Sequence, residues 1–320
     1  MQDMPPAPSY KPQIAIVCIA VGALGLGLAL PWVGVHGVDM DVLQSLRAPR
    51  VAAGACVGAL LALSGLALQV LLRNPLADPY VLGTSSGAAV GGIVALLLGG
   101  LMWLGAALGA LAAGALLMLL ARGAISTRAD DASSRLILTG AMLAAVLGAV
   151  STLLLTLTPD NRLRGAIFWL IGDLSGAELN WPACLFALLF IAAYLRYARA
   201  IDRLMLGSEA AHLLGEPVAL LRTALMVLAC IATALAVGMA GSIGFVGLVV
   251  PQALRLAGVR GTQHLAWMSA LGGAALLVLA DTLARSVAWP LELPVGAVMS
   301  LIGAPIFIWF LARKHDAVGR

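Results

Sequence analysis

Apolar residues in this chain come in long blocks instead of alternating with polar ones. Blocks recur near 14–33, 50–72, 83–101, 103–121, 135–157, 181–198, 222–240, 244–258, 264–287 and 294–312. Most approach the ~20 residues that a helix needs to cross ~30 Å of hydrocarbon. The pattern predicts an all-α polytopic membrane protein of about ten transmembrane helices. The eighth block is short and contains Pro251, and 159–180 ("DNRLRGAIFWLIGDLSGAE" at its heart) reads as a short re-entrant or interfacial helix after the fifth crossing. Irregular backbone at membrane depth survives only where it lines a cavity or packs against protein. That favours a transporter over a simple anchor.

Ten crossings put both termini on one side. With the N-terminus inside, the inner loops and tails hold Lys11, Arg73, Arg122, Arg128, Arg135, Arg196, Arg199, Arg203, Arg222, Arg255, Arg260, Arg313, Lys314 and Arg320. The outer loops hold Arg47, Arg50, Arg162, Arg164 and Arg285. This bias predicts cytoplasmic ends. Residues 1–13 form a short cytoplasmic tail; with no small-residue cleavage site behind the first block, that block is expected to be a retained helix. No repeat or long linker divides the chain, so 1–320 is expected to form a single transmembrane domain.

Composition narrows the classes. Apolar residues make up 62% of the chain and charged ones 11%, with a mean hydropathy of +1.02; soluble domains carry about 25% charged residues. The 36 glycines suit close helix approach in lipid. A net charge of +4 without basic runs interleaved with aromatics argues against nucleic acid. Cys18, Cys56, Cys184 and Cys230 all fall in apolar blocks at unrelated spacings and read as small buried hydrophobes, with no metal site implied.

Several chemistries are missing. A phosphate-gripping loop needs a lysine in G-x-x-x-x-G-K-[ST], and neither Lys11 nor Lys314 fits, so any nucleotide hydrolysis must be done by another subunit. "GTSSG" at 83–87 matches a nucleophile elbow at Ser85, but that motif needs a strand-to-helix turn and a nearby histidine base. His36, His212, His264 and His315 fall in loops or at helix ends; tight helix packing is the ordinary reading. H-E-x-x-H and C-x-x-C are absent. Asp281 is the acid deepest in an apolar block, a proton-relay candidate by position. Arg285, one turn on, offers a structural ion pair instead, and the spacing favours the pair.

Two polar stretches stand out. "LLRNPLADPYVLGTSSGAAVGG" interrupts two apolar blocks, and Pro75 bars further α-helix at Asn74. The loop 199–221 contains "SEAAHLLG", a short helix pattern closed by Gly215 and followed by Pro217. It reads as structural padding or as a docking knob for a soluble partner.

Six segments in order carry a resemblance: "LRAPRVAAGACVGALLALSGLALQVLLRNPLADPYVLGTSSGAA", "FWLIGDLSG", "LGSEAAHLLG", "GSIGFVGLVVPQALRLAGV", "SALGGAALLVLADTLAR" and "ELPVGAVMSLIGAPIFIWFL". From about residue 43 the chain resembles the permease subunits of type II ATP-binding-cassette importers, the FecCD-type family for cobalamin, haem and iron–siderophore uptake. Gln252 departs from it, since many relatives have His after that proline. The resemblance implies a homodimer of ten-helix subunits in a bacterial inner membrane, with the path along the dimer axis. It also implies two ATPase subunits, which use ATP and Mg, and a periplasmic binding protein. No cofactor is expected on this chain. By matching position, Arg47, Arg50 and Arg285 would dock the binding protein, with lipid-headgroup anchoring as the plainer reading; near Arg47 and Arg50 the sequence offers only Asp39 and Asp41 as acids. Asn74, Leu76, Ser133 and Ser134 would form the cytoplasmic gate, and Gly207, Glu209 and Gly215 would contact the ATPase. Few charges within the blocks suit haem or cobalamin as cargo, with ferric siderophore next. The rival readings are a proton-coupled secondary carrier using Asp281 and, more distantly, a membrane hydrolase at Ser85.

Overall fold

In the computed structural model the described residues are 16, 19, 45, 47–121, 132–288 and 291–318. Ile16 and Ile19 are helical. Most of the first apolar block, the tail 1–13, Cys18, His36, Asp39, Asp41, Arg122, Arg128 and Arg320 lie outside the described residues. Eleven α-helices occur among those described, and no strand. They are α1 Ala48–Leu71, α2 Thr84–Leu97, α3 Met102–Leu120, α4 Ala132–Thr156, α5 Asp160–Ile171, α6 Trp181–Met205, α7 Ser208–Leu213, α8 Val218–Ala240, α9 Val246–Leu256, α10 Thr262–Ser286 and α11 Val295–Val318. Six are long and apolar enough to cross a membrane: α1, α3, α4 from Ser134, α6, α8 and α10. The predicted crossings at 83–101, 244–258 and 294–312 correspond to the shorter apolar spans Thr84–Leu97, Val246–Leu256 and Val295–Phe310. The stretch 159–180 forms the twelve-residue α5 followed by an irregular segment with a turn closed by the Ala177 N–H on the Leu174 carbonyl at 3.1 Å.

α1 is apolar on every side and buried along nearly its whole length, as expected of a helix enclosed by protein. α6, α8, α9 and α10 pack around it. Glycine makes the closest crossings possible: Gly58 and Gly273 face each other so tightly that a methyl on either would overlap the other's carbonyl, and a methyl on Gly65 would overlap the Gly247 carbonyl while one on Gly247 would meet that of Leu61. Close approach of small residues is the main source of packing between helices in lipid. The polar atoms of α1 are matched. Ser64 hydroxyl donates to Ala229 carbonyl at 3.0 Å and pairs with Thr233 hydroxyl at 2.7 Å.

Gln69 has a particular task. Pro251 inside α9 lacks an N–H, so the carbonyl four residues back, on Gly247, loses its helical donor. Gln69 Nε2 supplies one at 3.2 Å, while Arg255 donates to Gln69 Oε1. Arg255, assigned to an inner loop from sequence, therefore turns inward against α1.

The connection from α1 to α2 doubles back. Thr84 at the start of α2 lies beside Gly114 and Cys230, close to the turn of α8 that meets Ser64. Ser64 lies seven residues before α1 ends, or roughly 10 Å at 1.5 Å per residue. The polar stretch thus climbs alongside the last two turns of α1, which leaves α2 only fourteen residues.

Candidate functional site

At the Arg50 end of α1, charges from three elements meet. Arg50 is buried. It donates from Nε and Nη2 to Asp281 of α10 at 2.9–3.2 Å, and from Nη1 to Glu292 at 2.8 Å. Arg285 Nε approaches Asp281 Oδ2 at 3.1 Å, one turn along α10. Two arginines and two carboxylates make the cluster neutral, which lowers the cost of burying it. Asp281 and Glu292 correct the expectation that only Asp39 and Asp41 lie near Arg50. Proximity of 231 and 242 positions in sequence is created by folding alone. Arg47 lies close enough for its charge to act on Arg285.

At the Leu71 end the chain turns sharply. Arg73 adopts φ 49°, a left-handed conformation uncommon for a side-chain-bearing residue. Asn74 Oδ1 accepts the Leu76 N–H at 3.0 Å and its carbonyl accepts the Ala77 N–H at 3.1 Å. Asn74 and Leu76 are half-buried. Of the second expected gate layer, Ser134 is exposed in the first turn of α4, and Ser133 belongs to the same turn. The loop reaches α4 further along, where Gly83 lies against Gly140 and Ala144.

From this turn the loop latches onto the 241–245 segment between α8 and α9, a connection not foreseen from sequence. Asp78 accepts the Tyr80 N–H at 2.9 Å and the Phe245 N–H. Tyr80 hydroxyl accepts the Ile243 N–H at 3.0 Å, and Ser85 pairs with Ser242 hydroxyl at 2.8 Å. Phe245, at φ 68°, is the other left-handed non-glycine residue described. Burial pushes the Asp78 carboxyl up to about 6 despite the two donors. A clue existed in the sequence: "GSIGF" places two glycines around a polar position just ahead of an apolar run. Ser85 spends its hydroxyl on this latch, which fits packing better than nucleophilic attack.

The third site is α7. Gly207 precedes it at φ 124° and ψ 154°, a conformation available to glycine but strained for other residues. A methyl placed there would meet the Arg73 guanidinium at 3.6 Å, so the base of α7 rests on the turn that carries Asn74 and Leu76. Glu209 is exposed in the first turn of α7, where a carboxylate complements the helix dipole. Gly215 ends the element at φ 83°, and Glu216 behind it pairs with Arg203 of α6. Ala211 is buried, whereas Leu206, Leu213, Leu214 and Leu220 are exposed, Leu213 by 87%.

Among the described residues no group of His, Cys, Asp and Glu could hold a metal ion, and Cys56, Cys184 and Cys230 are free thiols.

A family model described as the FecCD transport family matches residues 14–313. The cobalamin import system permease protein of Halobacterium salinarum is 41% identical over 92% of this chain and 79% of its own length. The hemin transport system permease protein of Yersinia pestis is 37% identical over 95% of this chain and 93% of its own. A solved structure described as an inward-facing conformation of a metal-chelate type ABC transporter superposes with a TM-score of 0.81 at 31% identity. That match covers 95% of this chain and 98% of the other.

Proposed function

The chain belongs to the FecCD transport family, and on that premise we propose that it is the permease subunit of an ATP-driven importer that moves a tetrapyrrole chelate, cobalamin or haem, inward across a bacterial inner membrane. Ferric siderophore is the next cargo in order. The whole described chain acts as one permease domain and performs no chemistry on the cargo. A second copy completes the path, two ATPase subunits dock at the Leu71 end, and a binding protein docks at the Arg50 end. The cargo reading draws on the names of the two permeases above and on the scarcity of charge within the spans.

The observation that carries the coupling mechanism is the seating of Arg73 on Gly207. α7 offers exposed leucines and Glu209 to a soluble partner, and it touches the turn that presents Asn74 and Leu76. A push on α7 by the ATPase therefore reaches the proposed gate through one residue. Pro75 and the left-handed Arg73 end the helix here, and the Arg73 and Asn74 N–H groups bond back to the Val70 and Gln69 carbonyls at 3.2 Å, so a change of gate state has few bonds to exchange at this one turn. Ser133 and Ser134 form the facing layer once two copies meet. An apolar stripe on α4, Leu138, Met142, Val146, Val150, Leu153 and Leu157, is exposed in the single chain and is the surface we assign to the second copy or its surrounding lipid.

At the opposite end, Arg47 lies beside the ion cluster and is the arginine best placed for carboxylates of the binding protein, with Arg285 joining from its pair with Asp281. Arginine's planar fork suits them. Arg50 would join only by exchanging Glu292, whose side chain is half-exposed, for an incoming acid. The secondary-carrier reading loses its basis, because Asp281 is held by two arginines and is not a lone buried acid.

Thiol labelling tests the gate. In the assembled transporter, Asn74→Cys and Leu76→Cys should react at different rates when the ATPase holds ATP and when it holds ADP. Equal rates in both states would remove these residues from the gate.

A further inference from the structure

A cavity of about 620 Å³ opens at the Arg50 end, away from the ion cluster. Its walls are the first turns of α3 and α6, its roof is the 176–180 segment, and its floor is the last turn of α8. The size is that of a small-molecule site, far above the ~30 Å³ share of one water. Gly238 lets α3 pack closely on α8 at the edge of the floor, where the Trp103 carbonyl and Ala107 would meet any added methyl at 3.1 and 3.3 Å. Met239 lies beside it, Trp103 and Trp181 form the rims, and Glu178 and Asn180 supply the polar lining. Asn180 uses its side-chain oxygen to cap α6 through the Ala183 N–H at 3.1 Å, which leaves Glu178 as the charged group of the lining.

Two tryptophans around one carboxylate form a lining that favours a cation, since indole faces attract ammonium groups and the carboxylate adds a full charge. The surroundings decide which cation. From the cleft, α3 exposes Leu104, Leu108 and Leu111, and α6 exposes Leu185, Leu188 and Leu189. In a membrane these rows face acyl chains, and tryptophans at helix ends lie at headgroup level. A ligand that places an ammonium beside Glu178 and hydrocarbon along those leucines uses both the charge of the lining and its apolar surroundings.

We propose that this cleft is a binding site for an ammonium phospholipid, phosphatidylethanolamine, with Glu178 and the rims Trp103 and Trp181 receiving the headgroup. The site wedges the outer ends of α3, α6 and α8, so its occupancy braces the start of α6 independently of cargo or ATPase.

Native mass spectrometry of the full-length chain, released from nanodiscs of equal phosphatidylethanolamine and phosphatidylglycerol, tests it. The wild type should retain phosphatidylethanolamine about tenfold over phosphatidylglycerol. Glu178→Gln should bring the ratio near parity while leaving phosphatidylglycerol retention unchanged, and the exposed Trp181→Leu should lower it several-fold. Soluble ethanolamine at millimolar concentration should fail to displace the lipid. Equal retention of the two lipids by the wild type, or an unchanged ratio in Glu178→Gln, overturns the proposal. Displacement by free ethanolamine overturns the lipid assignment in favour of a soluble amine.

Discussion

Arg50 joins α1 to α10 and to the segment before α11 through two carboxylates. Removing one member of a buried pair leaves the other charge uncompensated, which costs about 3–5 kcal/mol. Arg50→Ala and Asp281→Asn should therefore each lower the denaturation midpoint of the detergent-solubilised protein sharply. A docking role alone would leave stability untouched and weaken only association with the binding protein. Asp78 gives a second residue-level test. Its folded carboxyl titrates at about 6, above the ~3.9 of an unfolded aspartate, so the native state holds the proton more tightly. Its contribution is complete below about pH 4 and is lost as pH rises through 6. Stability between those values should fall with rising pH, and Asp78→Asn should flatten that slope. The Asp281–Arg285 pair could be read from four-residue spacing on a helix. Arg50 could not be matched to Asp281 or Glu292, because no local rule links positions more than 200 residues apart. The task of Gln69 was hidden for the same reason: Pro251 is visible in the sequence as a missing donor, but not the side chain that replaces it.

Helices themselves followed closely from apolar block length, since crossing hydrocarbon imposes length and composition together. The exceptions arise where protein replaces lipid as the surroundings. α2 and α9 are short because the segments before them, 72–83 and 241–245, fold back and latch to each other through Asp78, Tyr80 and Ser85. Periodicity carries no signal for such a connection. Glycine at close crossings was legible as composition, not as pairing. Gly58→Val should separate α1 from α10 and abolish a monodisperse folded protein, whereas the same change at Gly148, which faces open space, should be tolerated. Size-exclusion profiles distinguish these outcomes. For α7, Glu209→Lys together with Leu213→Asp should leave the permease folded but reduce ATPase association at least tenfold in pull-down; Gly207→Val should allow association yet uncouple hydrolysis from uptake. Normal coupling in Gly207→Val would contradict the path through Arg73.

Across the whole molecule, the two ends carry different chemistry. One bears a neutral, mutually paired charge cluster and an aromatic cleft; the other bears a sharp turn whose Arg73 meets the base of an exposed apolar knob. Between them runs α1, enclosed and tightly packed, and the buried acid that meets it, Asp281, is held by two arginines. This arrangement fits a conduit that is opened from outside itself. Purified chain reconstituted in vesicles, with a proton gradient imposed and cobalamin or haem outside, should accumulate nothing; adding the ATPase, the binding protein and ATP should start uptake. Accumulation by the chain alone, driven by the gradient, would contradict the account.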